Sequence, residues 1–355
     1  MLASLGGRPL ACAISVLILC FIPPTAASQE SRSDYAGLLA AYKKGDVEGA
    51  LAGVKRLTSS VEGTETLSDW VADRRRSKDV ASLELALMLH TEGAITGFGE
   101  GAALGLIGWL NQLGAVRRVF LALRALAPRS PFMRNWHLLW ESVVQGAGLS
   151  PISMTADYLP IALEDFPNDA EVLLAAGSRY EWLWWIGSGN PRRLPSGSSS
   201  SDKHLRTALD MLRRSRKADS AALEPRLRLG RVLFLLDDFE RAEPELRPLT
   251  VPTVEPAWRY LGLLFLGELL EHRGRTAAAD AAYKSAIGLV PVDQSARVAA
   301  AQLAHKDGRR VEAAEEIGRA LGAPATGLDP WWLYLRGQWW QFEDRLRTAR
   351  AMVQR

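Results

Sequence analysis

Cysteine is almost absent: the chain has two, Cys12 and Cys20, both near its start. From residue 28 onward there are none, which excludes disulfides, thiol nucleophiles and cysteine metal ligands from that part. Histidine is also scarce. His90, His137, His204, His272 and His305 include no pair four residues apart and no His-Glu-x-x-His pattern, so neither a metal site nor a cofactor is expected. Neither sign of charge dominates, with 43 Lys and Arg against 40 Asp and Glu for a net +3. That balance argues against nucleic acid or an anionic membrane as an obligatory partner. Long apolar runs are missing as well. A bilayer-spanning helix wants about 20 apolar residues; Ala11–Ile22 is too short, and the stretch from Gly101 to Leu110 is broken by Asn111, Gln112, Arg117 and Arg118.

The short run has a different use. Arg8 precedes it, and Pro23, Pro24 and the small residues Thr25, Ala26, Ala27 and Ser28 follow, the layout of a signal peptide over 1–27 cleaved after Ala27 or Ser28. A lipid anchor would use Cys20, but Leu19 is bulky where a small residue is wanted. The expectation is an exported bacterial protein, periplasmic or secreted, and not integral to the membrane once the signal is removed.

What is present is a repeat. Over 260–323, Gly274 and Gly308, Ala279 and Ala313, Tyr283 and Ile317, and Ala286 and Ala320 recur at one spacing of 34, the mark of stacked helical hairpins. Leu261, Leu264, Phe265 and Leu269 share a face of the first helix, and Gly267 leaves room for its partner. Gly274 fits a left-handed cap. Ala279, Tyr283, Ala286 and Ile287 form the buried side of the second helix, and Pro291 stops it. The set Leu266, Gly267, Leu270, Gly274, Ala279, Tyr283, Ala286 and Pro291 resembles the tetratricopeptide repeat signature. That resemblance implies an all-α, right-handed solenoid whose concave groove binds peptides or proteins and which carries no catalytic residues of its own.

Taken in order, residues 28–66 form a degenerate first repeat, in which Asp46 caps a helix and the interval from Gly45 to Ala50 matches that from Gly274 to Ala279. Residues 67–150 are helical with little repeat signature: Val80–His90, Leu104–Leu126, and a helix with Trp136, Leu139, Trp140 and Val143 on one face. Residues 151–326 return to the repeat, with an exposed loop inserted at 187–203, rich in Gly, Ser and Pro. Residues 327–355 read as a single capping helix, started by Asp329 and Pro330, with Trp332, Leu335, Trp339, Phe342 and Leu346 as its apolar stripe.

Catalytic patterns are few. His90-Thr91-Glu92 ends an apolar helix with no nucleophile beside it, and Gly97-Phe98-Gly99-Glu100-Gly101 lacks the strand and lysine of a phosphate loop. The basic runs Arg74–Arg76 and Arg213–Lys217 have acids close by and read as solvated faces. Tryptophan is abundant, with twelve in the chain. Helical geometry puts Trp182, Trp331 and Trp340 off the expected core faces, making them candidate exposed contact anchors. The expected function is non-catalytic binding of a protein or peptide in the groove. The alternatives are glycan or cell-wall binding through the tryptophans, or an enzyme site near His90 and Glu92.

Overall fold

A computed structural model describes residues 26–99, 103–146, 157–188, 201–290, 294–322 and 329–355. The signal segment up to residue 25, and most of the insertion at 187–203, lie outside the described residues. Among those described, all regular structure is helical. The helices are α1 (Ala26–Lys43), α2 (Val47–Thr58), α3 (Val61–Arg76), α4 (Val80–Gly99), α5 (Ala103–Arg124), α6 (Pro131–Gly146), α7 (Leu159–Asp165), α8 (Ala170–Ser188) and α9 (Ser201–Ala218). They continue with α10 (Leu223–Leu235), α11 (Phe239–Leu246), α12 (Pro256–His272), α13 (Thr276–Ala286), α14 (Gln294–Lys306), α15 (Arg310–Leu321), α16 (Pro330–Leu335) and α17 (Phe342–Val353), with 3-10 turns at Arg247–Thr250 and Gly337–Gln341. None of the described helices is long and apolar enough to cross a membrane.

One turn is used five times. Gly45, Lys78, Asp237, Gly274 and Gly308 all have positive φ and stand two residues after one helix and two before the next. In each, the residue after it donates its N–H to a carbonyl five residues back, as Asp46 does to Ala41, Asp79 to Arg74 and Arg275 to Leu270. These bonds satisfy carbonyls that the helix end leaves open. The same turn joins α3 to α4, although residues 67–150 carry little of the repeat signature and α4 packs mainly on α5: Lys78 occupies the position that glycine holds in three of the other turns.

Within hairpins, glycine on the first helix lets a large side chain of the second approach. A Cβ on Gly267 would lie 2.4 Å from the Tyr283 ring, one on Gly230 would lie 2.7 Å from Leu246, and one on Gly177 would lie 2.6 Å from Leu212. The interval from Gly230 to Leu246 equals that from Gly267 to Tyr283. In the α8–α9 hairpin the interval is longer, because the insertion separates its two helices.

Among the described residues two large apolar cores result, with a small third cluster of Leu138, Ala162, Val172 and Ala175. The first is built on Tyr35, Tyr42, Leu87, Phe120, Trp136 and Trp140, and the second runs through the later hairpins from Leu174 to Leu303. Residues 329–355, the described part of the capping helix expected at 327–355, do not form a single helix. They break into α16, a 3-10 turn and α17, with the break at Gly337 (φ +59°). Tyr334 belongs to the second core, whereas Phe342, Ala349 and Val353 belong to the first. The segment is a strap across both.

Candidate functional site: the groove of the first helices

The first helices of successive hairpins, α6, α8, α10, α12 and α14, line up side by side, and the strap crosses them from last to first. Asp329 caps α16 by accepting from Trp331 N–H (2.9 Å), and it also accepts from Tyr260 Oη (3.1 Å) and from Ser295 N–H at the start of α14 (2.7 Å). Trp331 stacks on Tyr334 at 5.7 Å, both rings meet Phe265 edge-on, and the Arg231 guanidinium lies over Phe265 and Trp331. The Tyr334 hydroxyl donates to Glu181, its carbonyl accepts from Arg228, and the Arg228 guanidinium sits 4.4 Å from the centre of its ring.

At Gly337 the strap comes closest to the floor. A Cβ there would stand 1.9 Å from Gln145 Oε1 and 2.9 Å from Ser178 Oγ, and the positive φ already disfavours a side chain. Gln145 Oε1 accepts from the Gln338 N–H (2.8 Å) and from Ser178 Oγ (3.1 Å), while Gln338 Nε2 donates to Glu224 (2.7 Å). Further on, Arg345 donates to Leu138 O, Ser142 Oγ and Gln338 Oε1. Arg350 pairs with Glu92, and Gln354 donates to the Tyr42 carbonyl in α1.

The floor beneath is ionic and buried. Arg179 pairs with Glu141 at 3.2 Å, and Arg228 pairs with Glu224 at 2.8 Å and Glu181 at 3.0 Å. Burial alone would lower the Arg228 pKa, but Glu224, Tyr334 and Glu181 outweigh it and hold it above the ordinary arginine value. Burial raises the Glu141 carboxyl despite Arg179. Among the described residues no carboxylate forms an ion pair with Arg345, and burial brings it down to about 10.

Past the strap the groove stays open toward the last hairpin. A cleft of about 330 Å³ lies between Trp331, Trp332 and Leu335 on one side and Leu264, Val298, Ala299 and Trp185 on the other, with Arg231, Glu268, Gln294, Ser295 and Gln302 as its polar groups.

The three candidate anchors fare differently. Trp182 is not exposed as expected: it is 9% accessible, because the face of α8 that points away from α9 is covered by the strap around Gly337. Trp331 is half-buried and lines the cleft, and Trp340 is 44% exposed, edge-on to Trp258. Trp332, placed by its spacing in a core stripe, is 49% exposed at the cleft mouth, since the break at Gly337 ends that stripe. The three candidates therefore do not form a common exposed platform for a sugar.

His90 is fully buried, with Tyr35 Oη 3.0 Å from Nε2 and Gln112 Oε1 3.1 Å from Nδ1. Burial lowers its pKa to about 4, and Glu92 is taken by Arg350 and Tyr42. Both are parts of a packed network. The basic runs are partnered too: Arg74 pairs with Asp73 and Asp79, Arg214 with Asp210, and Arg216 with Glu245. Among the described residues no three His, Cys, Asp or Glu side chains group as a metal site. The polar floor was missed in the sequence. Its signals were Glu181 within the apolar helix 170–188 and the Glu224/Arg228 pair four apart, both on the helix faces that line the groove.

No protein-family model and no curated protein matches the chain. Similar solved structures include MamA, 17% identical over 54% of this chain and 93% of that one with a TM-score of 0.37. PilF of Pseudomonas aeruginosa is 16% identical over 61% and 90%, with a TM-score of 0.42. YrrB, described as a TPR protein with an unusual peptide-binding site, is 15% identical over 60% and 96%, with a TM-score of 0.40.

Proposed function

Starting from a divergent tetratricopeptide-like chain whose groove holds a segment of itself, we propose that the protein is a non-catalytic interaction scaffold that takes a protein or peptide segment along the first helices of its hairpins. One observation carries this: residues 329–341 already lie in that groove as a peptide would, fixed by Asp329, Trp331, Tyr334 and Gln338 to helices α6 through α14. Helix faces that hold one segment through aromatic stacking and side-chain hydrogen bonds have the chemistry to hold another. The cleft beside Trp331 and Trp332 is the part still open, with room for one or two bulky side chains.

The test is selection of peptides from a random display library against the full chain, followed by titration on Trp332→Ala and Gln302→Ala variants. Binding at least tenfold weaker in either variant supports the groove. Selected peptides that ignore both substitutions count against it. We further propose that the protein works outside the cytoplasm, on the strength of the signal-like segment at 1–27; N-terminal sequencing of the protein from its native host should begin at Ser28 or Gln29, a chain beginning at Met1 contradicts cleavage, and one beginning at Met1 and recovered only from the cytoplasm contradicts export.

A further inference from the structure

The strap has two parts with different physics. Residues 342–354 are built into the first core: Phe342, Ala349 and Val353 are buried there, and Arg350 closes on Glu92. Releasing them would expose apolar surface, which water penalises in proportion to its area. Residues 329–341 lie on a floor that is largely charged, with Tyr334 the side chain buried in the second core and Trp331 and Leu335 packed against that core. Beneath Tyr334, Gly337 and Gln338 are Glu181, Glu224, Arg228, Gln145 and Ser178, which already pair with one another. Uncovering such a floor returns paired charges to water and so recovers desolvation cost, unlike opening an apolar core. Its own structure is local, a six-residue helix and a five-residue 3-10 turn that begins at Gly337, where φ is positive.

We propose that residues 329–341 are an intramolecular ligand guarding the groove, displaced by a partner peptide that takes the same short helix and turn and carries the same pattern: an aromatic residue with an edge donor for Glu181, glycine three positions on, and an amide side chain directly after. This rests on the groove being the binding site. The glycine is the discriminating feature, because a Cβ there would have to push Gln145 Oε1 and Ser178 Oγ aside and the positive φ disfavours a side chain as well. The edge donor follows from Glu181, which accepts from the Tyr334 hydroxyl while Arg228 covers the ring. The amide follows from Glu224, which takes the Gln338 side chain. A guard held in cis acts at an effective concentration on the order of millimolar, so a free peptide of ordinary affinity is excluded until the guard moves.

The experiment uses the full chain and its Gly337→Val variant, with a fluorescent peptide of residues 329–341 as probe, carrying the native glycine, and the same peptide with valine at that position as control. Hydrogen exchange and circular dichroism are recorded alongside. The expected result is an unchanged helical signal, faster exchange confined to 329–341, and at least tenfold tighter probe binding by the variant than by the native chain, with no binding of the control. Equal binding of the probe by both chains overturns the guard but leaves the groove as a peptide site. Faster exchange without probe binding overturns both. Loss of helix in Gly337→Val and in the milder Tyr334→Phe alike shows the segment to be core rather than ligand, and overturns the guard alone.

Discussion

Lys78 and Asp237 hold the left-handed conformation that glycine holds in the three companion turns, with φ of 58° and 59°. Lysine gains nothing there and bears a penalty of roughly 1–2 kcal/mol for its Cβ, whereas aspartate tolerates the region better. Lys78→Gly should therefore raise stability by about 0.5–1 kcal/mol, since the gain exceeds the extra chain entropy of glycine. Urea denaturation reads this directly, and an unmoved or lowered midpoint would show that the turn is not what holds α3 to α4. The histidines make a second residue-scale case. His90, facing Tyr35, Gln112 and Arg118, and His137, facing Asp165 and Arg124, are both brought to about 4 by burial. A base whose folded pKa is lowered binds more protons when unfolded, so its stabilisation is complete above about 6.5 and is lost as pH falls toward 4. Melting temperature should fall between pH 7 and pH 5, and fall further by pH 4.5, each histidine contributing up to about 3 kcal/mol across the full window. A flat profile over that range would mean that the two rings are hydrated.

Helix pairs are governed by where glycine stands. Gly267 faces Tyr283 at 2.4 Å from its would-be Cβ, whereas Gly318 in α15 has nothing within 4 Å. Gly267→Ala should cost roughly 1–3 kcal/mol by overpacking, and Gly318→Ala should be neutral or stabilising by up to about 1 kcal/mol through helix propensity. Thermal melts of the two variants check the contrast, and similar effects in both would remove the interlock. This level was the most legible in the sequence: Gly267, Gly274, Ala279 and Tyr283 have roles that follow from local sterics, and each is found in its expected place. The last element was less legible. The spacing of Trp332, Leu335, Trp339, Phe342 and Leu346 suits one helix, and nothing local reveals that Gly337 takes a positive φ; that conformation is set by Gln145 and Ser178, far away in sequence.

For the whole molecule, the strap replaces a cap. The sequence places the solenoid's end where its last residues are, whereas the chain turns back and joins its second core to its first, from Asp329 against α14 to Gln354 against α1. The path was hidden because its contacts are polar and long-range: Glu181, Glu224 and Arg228 read as solvent-facing residues until a partner segment covers them. The same fact defines the groove, since a face that appears ordinary in sequence is here a filled site. Exposure of Trp182 failed as an expectation for this reason, and Trp331, also expected to be exposed, is half-buried beside a cleft whose existence no spacing could show.

The most direct measurement is native-state hydrogen exchange of the unmodified chain across low denaturant. If residues 329–341 are a ligand held in the groove, their amides open with a free energy clearly below that of α17 and of the hairpins, and with a small denaturant dependence of their own. If they open only together with both cores, the segment is part of the folded unit and the groove is not a site that anything else can enter.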